Sequence, residues 1–190
     1  MEKNKILLIV DAQNDFINGS LSVEGAEIKM LKLTEFFNKH KNEYTKVVFT
    51  CDWHPINHIS FKEWPVHCVQ HTIGAAIYDV LIQNVINSQV PYVILTKGDS
   101  KSFDEYSVMK NYHSNLRLRE IVGREKIDEI DVCGIANEYC VNESVKDIAN
   151  EKSIKANMNI LIDYVAAIKD ESVLLKTCEE LKINVVKDGN

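Results

Sequence analysis

The chain has 190 residues, 45% of them apolar and 26% charged, with a formal net charge of −6 at pH 7. That length suits one domain over 1–190 with a substantial core, and the acidic balance speaks against a nucleic-acid partner, which would need a basic face. The apolar run at 6–10 is too short for a leader or a membrane span, and the five scattered cysteines are expected as reduced thiols of a cytoplasmic enzyme.

Residues 5–10 (KILLIV) form a continuous apolar run, the pattern of a strand buried on both faces. Residues 13–23 carry Asn, Asp, Gly and Ser and read as a loop. From 26 to 40, Ile28, Leu31, Leu33, Phe36 and Phe37 recur near helical spacing and are expected to face a core. A second strand over 46–50 delivers Cys51 and Asp52. A helix over 75–86 precedes a third strand over 93–96, which leaves at Lys97. After a polar loop over 98–110 comes a helix over 115–122, with Leu116, Leu118 and Ile121 inward. A fourth strand covers 129–135, followed by a helix over 140–150 with Val141, Val145 and Ile148 inward. A strand over 159–162, a helix over 172–181 and a strand over 184–186 complete the chain. Strands alternate with helices, so the expected fold is a three-layer α/β domain around a mostly parallel sheet.

In open α/β sheets ligands bind at the carboxyl ends of the strands. Asp11, Asp52 with His54, Lys97 and Cys140 are all expected at that edge. Singly, each has a plain structural reading: a turn cap, a surface lysine, a small buried hydrophobe. Their convergence favours chemistry, with Cys140 as nucleophile, Asp11 as general acid and base, and Lys97 as electrostatic partner. A helix start and a nearby ammonium are expected to lower the Cys140 thiol pKa. Cys51, Cys133 and Cys178 read as packing residues.

The segment 51–68 gathers Asp52, His54, His58 and His67 with both tryptophans of the chain, Trp53 and Trp64. Carboxylate and imidazole are good ligands for zinc, iron or manganese, and the aromatics could wall a flat apolar ligand. Cys68 and His71 offer a weaker, competing half-site. His40 and His113 stand alone. No glycine-rich dinucleotide fingerprint, phosphate loop or Gly-x-Ser-x-Gly elbow is present.

Asp-Ala-Gln-Asn-Asp-Phe at 11–16 resembles the D-x-Q-N-D-F opening of the isochorismatase-like cysteine hydrolases. Gly-Ile-Ala-Asn-Glu-Tyr-Cys-Val at 134–141 is similar to their G-x-A-T-[DE]-x-C-V nucleophile segment. Asp-Trp-His-Pro at 52–55, His-Ile-Ser-Phe at 58–61 and Trp-Pro-Val-His-Cys-Val at 64–69 resemble the nicotinamidase branch of that family. The resemblance implies a six-stranded parallel sheet of order 3-2-1-4-5-6. It implies one divalent metal ion, zinc first and iron or manganese next, on Asp52, His54 and His67. His58 would be a further ligand or would stand behind the ligands. Phe16 and Trp64 match residues that sandwich a pyridine ring, and Tyr106 and Asn137 are further substrate-binding candidates. Asn137 stands where the family has Thr. The backbone N–H groups of Ala136 and Cys140 match an oxyanion hole, and the Ala136–Asn137 peptide matches a cis bond.

The activity so implied is hydrolysis of nicotinamide to nicotinate and ammonia through a Cys140 thioester, as in NAD salvage, with pyrazinamide as an alternative substrate. No nucleic acid or membrane is implied, and a homo-oligomer is compatible. Three other readings stand beside it: a family amidase acting on ureido or carbamoyl compounds, hydrolysis by a metal-bound water, and a non-catalytic metal-binding protein.

Overall fold

Ile6 to Val10 have no exposed surface, which requires protein on both faces of their strand. The computed structural model describes residues 4–187, so the ends of the expected 1–190 domain lie outside the described residues. The elements run β1 (Lys5–Val10), α1 (Asn14–Ile17), α2 (Ala26–His40), β2 (Tyr44–Asp52), α3 (Asp79–Ser88), β3 (Tyr92–Lys97), α4 (Tyr112–Arg124), β4 (Glu129–Ile135), α5 (Asn142–Asn150), β5 (Asn157–Ala166), α6 (Ser172–Leu181) and β6 (Asn184–Val186). The six strands form one parallel sheet of order β3-β2-β1-β4-β5-β6. This is the order that the family resemblance implies.

Side chains alternate across β1. Leu7 and Ile9 join a core with Met30, Leu33 and Phe37 of α2 and Leu81 and Val85 of α3. Ile6, Leu8 and Val10 join a second core with Leu118 of α4, Val145 and Ile148 of α5 and Leu174 of α6. Strand order reverses at β1, whose neighbours are β2 and β4. The carboxyl ends of these strands therefore open one crevice.

Several elements differ from expectation, in bounds or in buried face, for local reasons. The buried face of α2 follows Ala26, Met30, Leu33, Thr34 and Phe37, which leaves Ile28 62% and Leu31 40% exposed. Likewise Leu116 faces solvent, while Ser114, Leu118, Ile121 and Val122 are the inner face of α4. Residues 75–78 are not helical because they cover the loop after β1: Ile77 bridges Gln13, and the Tyr78 N–H donates to the Ala12 carbonyl at 2.9 Å. The predicted loop over 13–23 contains the single turn α1. The cis peptide joins Ile135 to Ala136, not Ala136 to Asn137. Ala136 already belongs to the next turn, its carbonyl accepting from the Tyr139 and Val141 N–H groups at 3.2 and 3.1 Å.

Gly134 has φ +123°, and a Cβ there would lie 2.0 Å from the Val10 carbonyl oxygen. Backbone cannot yield as a side chain does. Gly134→Ala should lower unfolding free energy by about 2 kcal/mol or more, measured by urea unfolding; wild-type stability would contradict this packing.

Candidate active site

Asp11 immediately follows β1 in the left-handed region, with φ 48°. Its N–H donates to the Thr50 carbonyl at 3.0 Å, and its Oδ1 accepts from Thr50 Oγ1 at 2.8 Å. Lys97 ends β3 in register with Asp52 at the end of β2. Its fully buried Nζ lies 2.8 Å from Asp11 Oδ2 and 3.5 Å from Cys140 Sγ, and donates to Asp52 Oδ1. Cys140 arrives on a π-helical turn, Asn137–Val141, between β4 and α5. Three strand ends and one wide turn thus meet at a single ammonium.

Burial raises the Asp11 carboxyl above the ordinary carboxylate range, and Lys97 opposes that rise. Burial also raises the Cys140 thiol well above its ordinary value; Lys97 lowers it, while Asp11 and Asp52 add to the rise. This corrects the expected lowering: a dry site with two carboxylates outweighs one ammonium. Burial therefore favours the thiol form of Cys140, beside an acidic group whose proton affinity is also raised. Asp52 departs in the other direction, because Lys97 and His54 outweigh its burial.

Beside this cluster, Asp52, His54 and His67 bring one ligand atom each within 4.8 Å of the others. His54 Nδ1 donates to the Gly98 carbonyl at 2.9 Å, and His67 Nδ1 donates to the Pro65 carbonyl at 2.7 Å. Each carbonyl accepts from Nδ1 and so turns Nε2 toward the cluster, the orientation of metal-bound imidazoles. The Nε2 atoms of His54 and His67 lie 3.4 and 3.8 Å from Asp52 Oδ2. Two buried acidic side chains, Asp11 and Asp52, face one ammonium. The carboxylate and imidazole donor set fits a divalent cation.

His58 stacks on His54 with ring centroids 4.0 Å apart. Its Nε2 donates to the Phe103 carbonyl at 2.9 Å, and its Nδ1 accepts from Ser60. Both nitrogens are committed, and His58 is not in the converging group. Nor do Cys68 and His71 form one: Cys68 is buried, and His71 lies edge-on to Trp53.

Phe16, Trp64, Tyr106 and Tyr139 wall a small pocket whose lining includes Asp52, His67, Ala136 and Cys140. Trp64 Nε1 donates to the Tyr106 hydroxyl at 3.3 Å and meets Tyr139 edge-on. Tyr139 is a wall that sequence reasoning missed. Asn137 does not reach the cavity. Its Oδ1 accepts from the Leu174 N–H at 3.1 Å and its Nδ2 donates to the Glu171 carbonyl, capping α6.

Three positioning residues were also missed as individuals, although they lie in the quoted motifs. Gln13, fully buried, brackets the Asp52 backbone: Oε1 accepts from its N–H and Nε2 donates to its carbonyl, each at 2.7 Å. Asp15 Oδ2 accepts from the Cys68 N–H at 2.7 Å, holding the segment that carries His67. Glu138 accepts from the N–H groups of Ile168, Lys169 and Asp170, fixing the loop that brings Ile168 to the cavity.

The isochorismatase domain model matches residues 5–152. The chain belongs to the isochorismatase family. Within it, the chain is 29% identical to the nicotinamidase of Saccharomyces cerevisiae, over 96% of this chain and 99% of that protein. The nicotinamidase/pyrazinamidase of Mycobacterium tuberculosis is 29% identical over 90% of each chain. Among solved structures, the pyrazinamidase of Pyrococcus horikoshii in complex with zinc is 32% identical, with a TM-score of 0.79 over 97% of this chain and 99% of that one. The family's fold therefore extends beyond the matched domain to β6.

Burial pulls the Glu138 carboxyl upward, but three N–H donors outweigh it and hold it below the ordinary range. A lowered carboxyl stabilises the fold above its unfolded pKa, and that contribution is lost as pH falls through the folded pKa. Glu138→Gln should therefore cost about 1 kcal/mol at pH 7, discounted for partial exposure. The gap from wild type should close in acid. Urea unfolding at both pH values checks this; a gap that widened in acid would contradict it.

Proposed function

We propose that this chain hydrolyses nicotinamide to nicotinate and ammonia through a thioester on Cys140. The observation that carries the reading is the position of Lys97 Nζ, 3.5 Å from Cys140 Sγ and 2.8 Å from Asp11, under a cavity that also exposes Asp52 and His67. Nucleophile, base and ring-holding groups then face one small aromatic amide. Reduced, buried cysteines fit a cytoplasmic enzyme. Among the described residues, no helix is long and apolar enough to cross a membrane.

Asp11 takes the Cys140 thiol proton as Sγ attacks the carboxamide carbon. The carbonyl electrons move onto oxygen, which the N–H groups of Ala136 and Cys140 hold. The intermediate collapses with cleavage of the C–N bond, and the proton on Asp11 passes to the departing nitrogen, releasing ammonia. Asp11 next deprotonates a water that attacks the thioester. The C–S bond breaks, and the proton returns to sulfur. Lys97 keeps Asp11 in place and offsets negative charge at sulfur throughout.

Phe16 and Trp64 hold the ring between them, with Tyr106 and Tyr139 closing the side. Asp52, His54 and His67 would hold a divalent ion, with zinc first in line. When bound, it supplies a Lewis-acidic position for the pyridine nitrogen and so orients the ring. His58 serves from behind, steadying the His54 ring rather than binding the ion. An isolated ureido or carbamoyl group would leave the aromatic walls without a partner.

In an ammonia-release assay on nicotinamide with zinc-replete protein, Cys140→Ala and Cys140→Ser should each lose on the order of 10³-fold or more in kcat. Both should retain zinc. Chelation of wild type should raise KM, with recovery on zinc addition. Activity surviving in Cys140→Ser but abolished by chelation would replace the covalent route with metal-bound water. Zinc binding without ammonia release would remove the enzyme reading.

A further inference from the structure

Gly98 is the first residue beyond β3 and adopts φ +67°. A Cβ there would lie 2.4 Å from His54 Cε1 and 2.5 Å from His54 Nδ1. The His54 ring therefore lies flush against the Gly98 backbone while donating to its carbonyl at 2.9 Å. The orientation of this imidazole depends on where Gly98 is held.

Lys97 is secured by the ladder, its carbonyl accepting from the Trp53 N–H at 2.9 Å. Gly98, past the ladder, donates its N–H to Glu105 Oε2 at 2.8 Å. The same carboxylate oxygen accepts from Asn111 Nδ2 at 3.1 Å. Asn111 is buried, and its Oδ1 caps α4 by accepting from the Ser114 N–H at 3.1 Å. Its Nδ2 also donates to Asp99 Oδ1 at 3.0 Å. A continuous set of bonds thus runs from the start of a packed helix, through one carboxylate, to the backbone behind His54. The residue after Glu105 is Tyr106, which walls the cavity and accepts from Trp64.

We infer that Glu105 is a positioning residue for the metal centre, acting on His54 through Gly98 and setting the Tyr106 wall with the same bond. The inference rests on the reading of Asp52, His54 and His67 as metal ligands. Glu105 touches neither metal nor substrate. Its effect should appear as ligand geometry and affinity, because groups that orient a metal-bound histidine typically alter affinity by roughly 10–100-fold.

The test uses the full chain with zinc affinity measured by chelator competition, and with the visible spectrum of the cobalt-loaded protein as a report of ligand geometry. Glu105→Ala should weaken zinc binding by roughly 10–100-fold and change the cobalt spectrum. At saturating zinc it should raise KM for nicotinamide more than it lowers kcat. Glu105→Asp, which withdraws the acceptor but keeps the charge, should behave in the same way and serves if the alanine variant does not fold. Glu105→Gln retains an acceptor for the Gly98 N–H and should bind zinc within about threefold of wild type. Wild-type affinity and spectrum in both Glu105→Ala and Glu105→Asp would overturn the inference, as would lowered thermal stability with zinc affinity unchanged. Failure of the wild-type chain itself to bind zinc would overturn the ligand reading, and the inference with it.

Discussion

The site is organised around one ammonium that water does not reach. Lys97 Nζ is buried among the Asp11 and Asp52 carboxylates and the Cys140 sulfur. An unpaired charge in that position would be prohibitive, and removal of one partner of a buried pair typically costs about 3–5 kcal/mol. Lys97 is therefore held by the charges around it, and they by Lys97. Asp52 has two duties: Oδ1 accepts from Lys97, while Oδ2 faces His54 and His67. One carboxylate joins the cluster of Asp11, Lys97 and Cys140 to the pair of His54 and His67.

The surrounding polar residues keep this arrangement from relaxing. Gln13 brackets the Asp52 backbone, Asp15 holds the His67 segment, and Glu138 fixes the loop carrying Ile168. Main-chain carbonyls of Gly98 and Pro65 set the faces that His54 and His67 present. Most of these bonds join distant parts of the chain, so the site depends on the completed sheet. Burial raises both Asp11 and Cys140, which favours keeping the proton on sulfur with its acceptor beside it.

Short apolar segments located the strands at 5–10, 129–135 and 184–186, and the convergence of Asp11, Asp52, Lys97 and Cys140 followed from placing them at strand ends. Strand order was not legible that way, because a parallel crossover leaves no local mark in composition; motif resemblance was needed for it. Where the spacing misled, side-chain size was a poor guide to direction. Ile28, Leu31 and Leu116 are apolar yet turn outward, since the packed stripe falls on smaller neighbours such as Ala26 and Ser114. Polar roles in loops were the least visible. Whether Asn137 faces a cavity or caps α6 depends on a partner 37 residues away in sequence. Glu105 similarly owes its meaning to Gly98 and Asn111.

The central claim is that one acyl-enzyme on Cys140 lies between amide and acid. A shared intermediate forgets its leaving group, so hydrolysis in the presence of hydroxylamine tests it directly. The account predicts that nicotinamide and methyl nicotinate give nicotinohydroxamate and nicotinate in the same ratio at each hydroxylamine concentration, with neither product from Cys140→Ala. A ratio that changed with the leaving group, or hydroxamate formation persisting without Cys140, would contradict it.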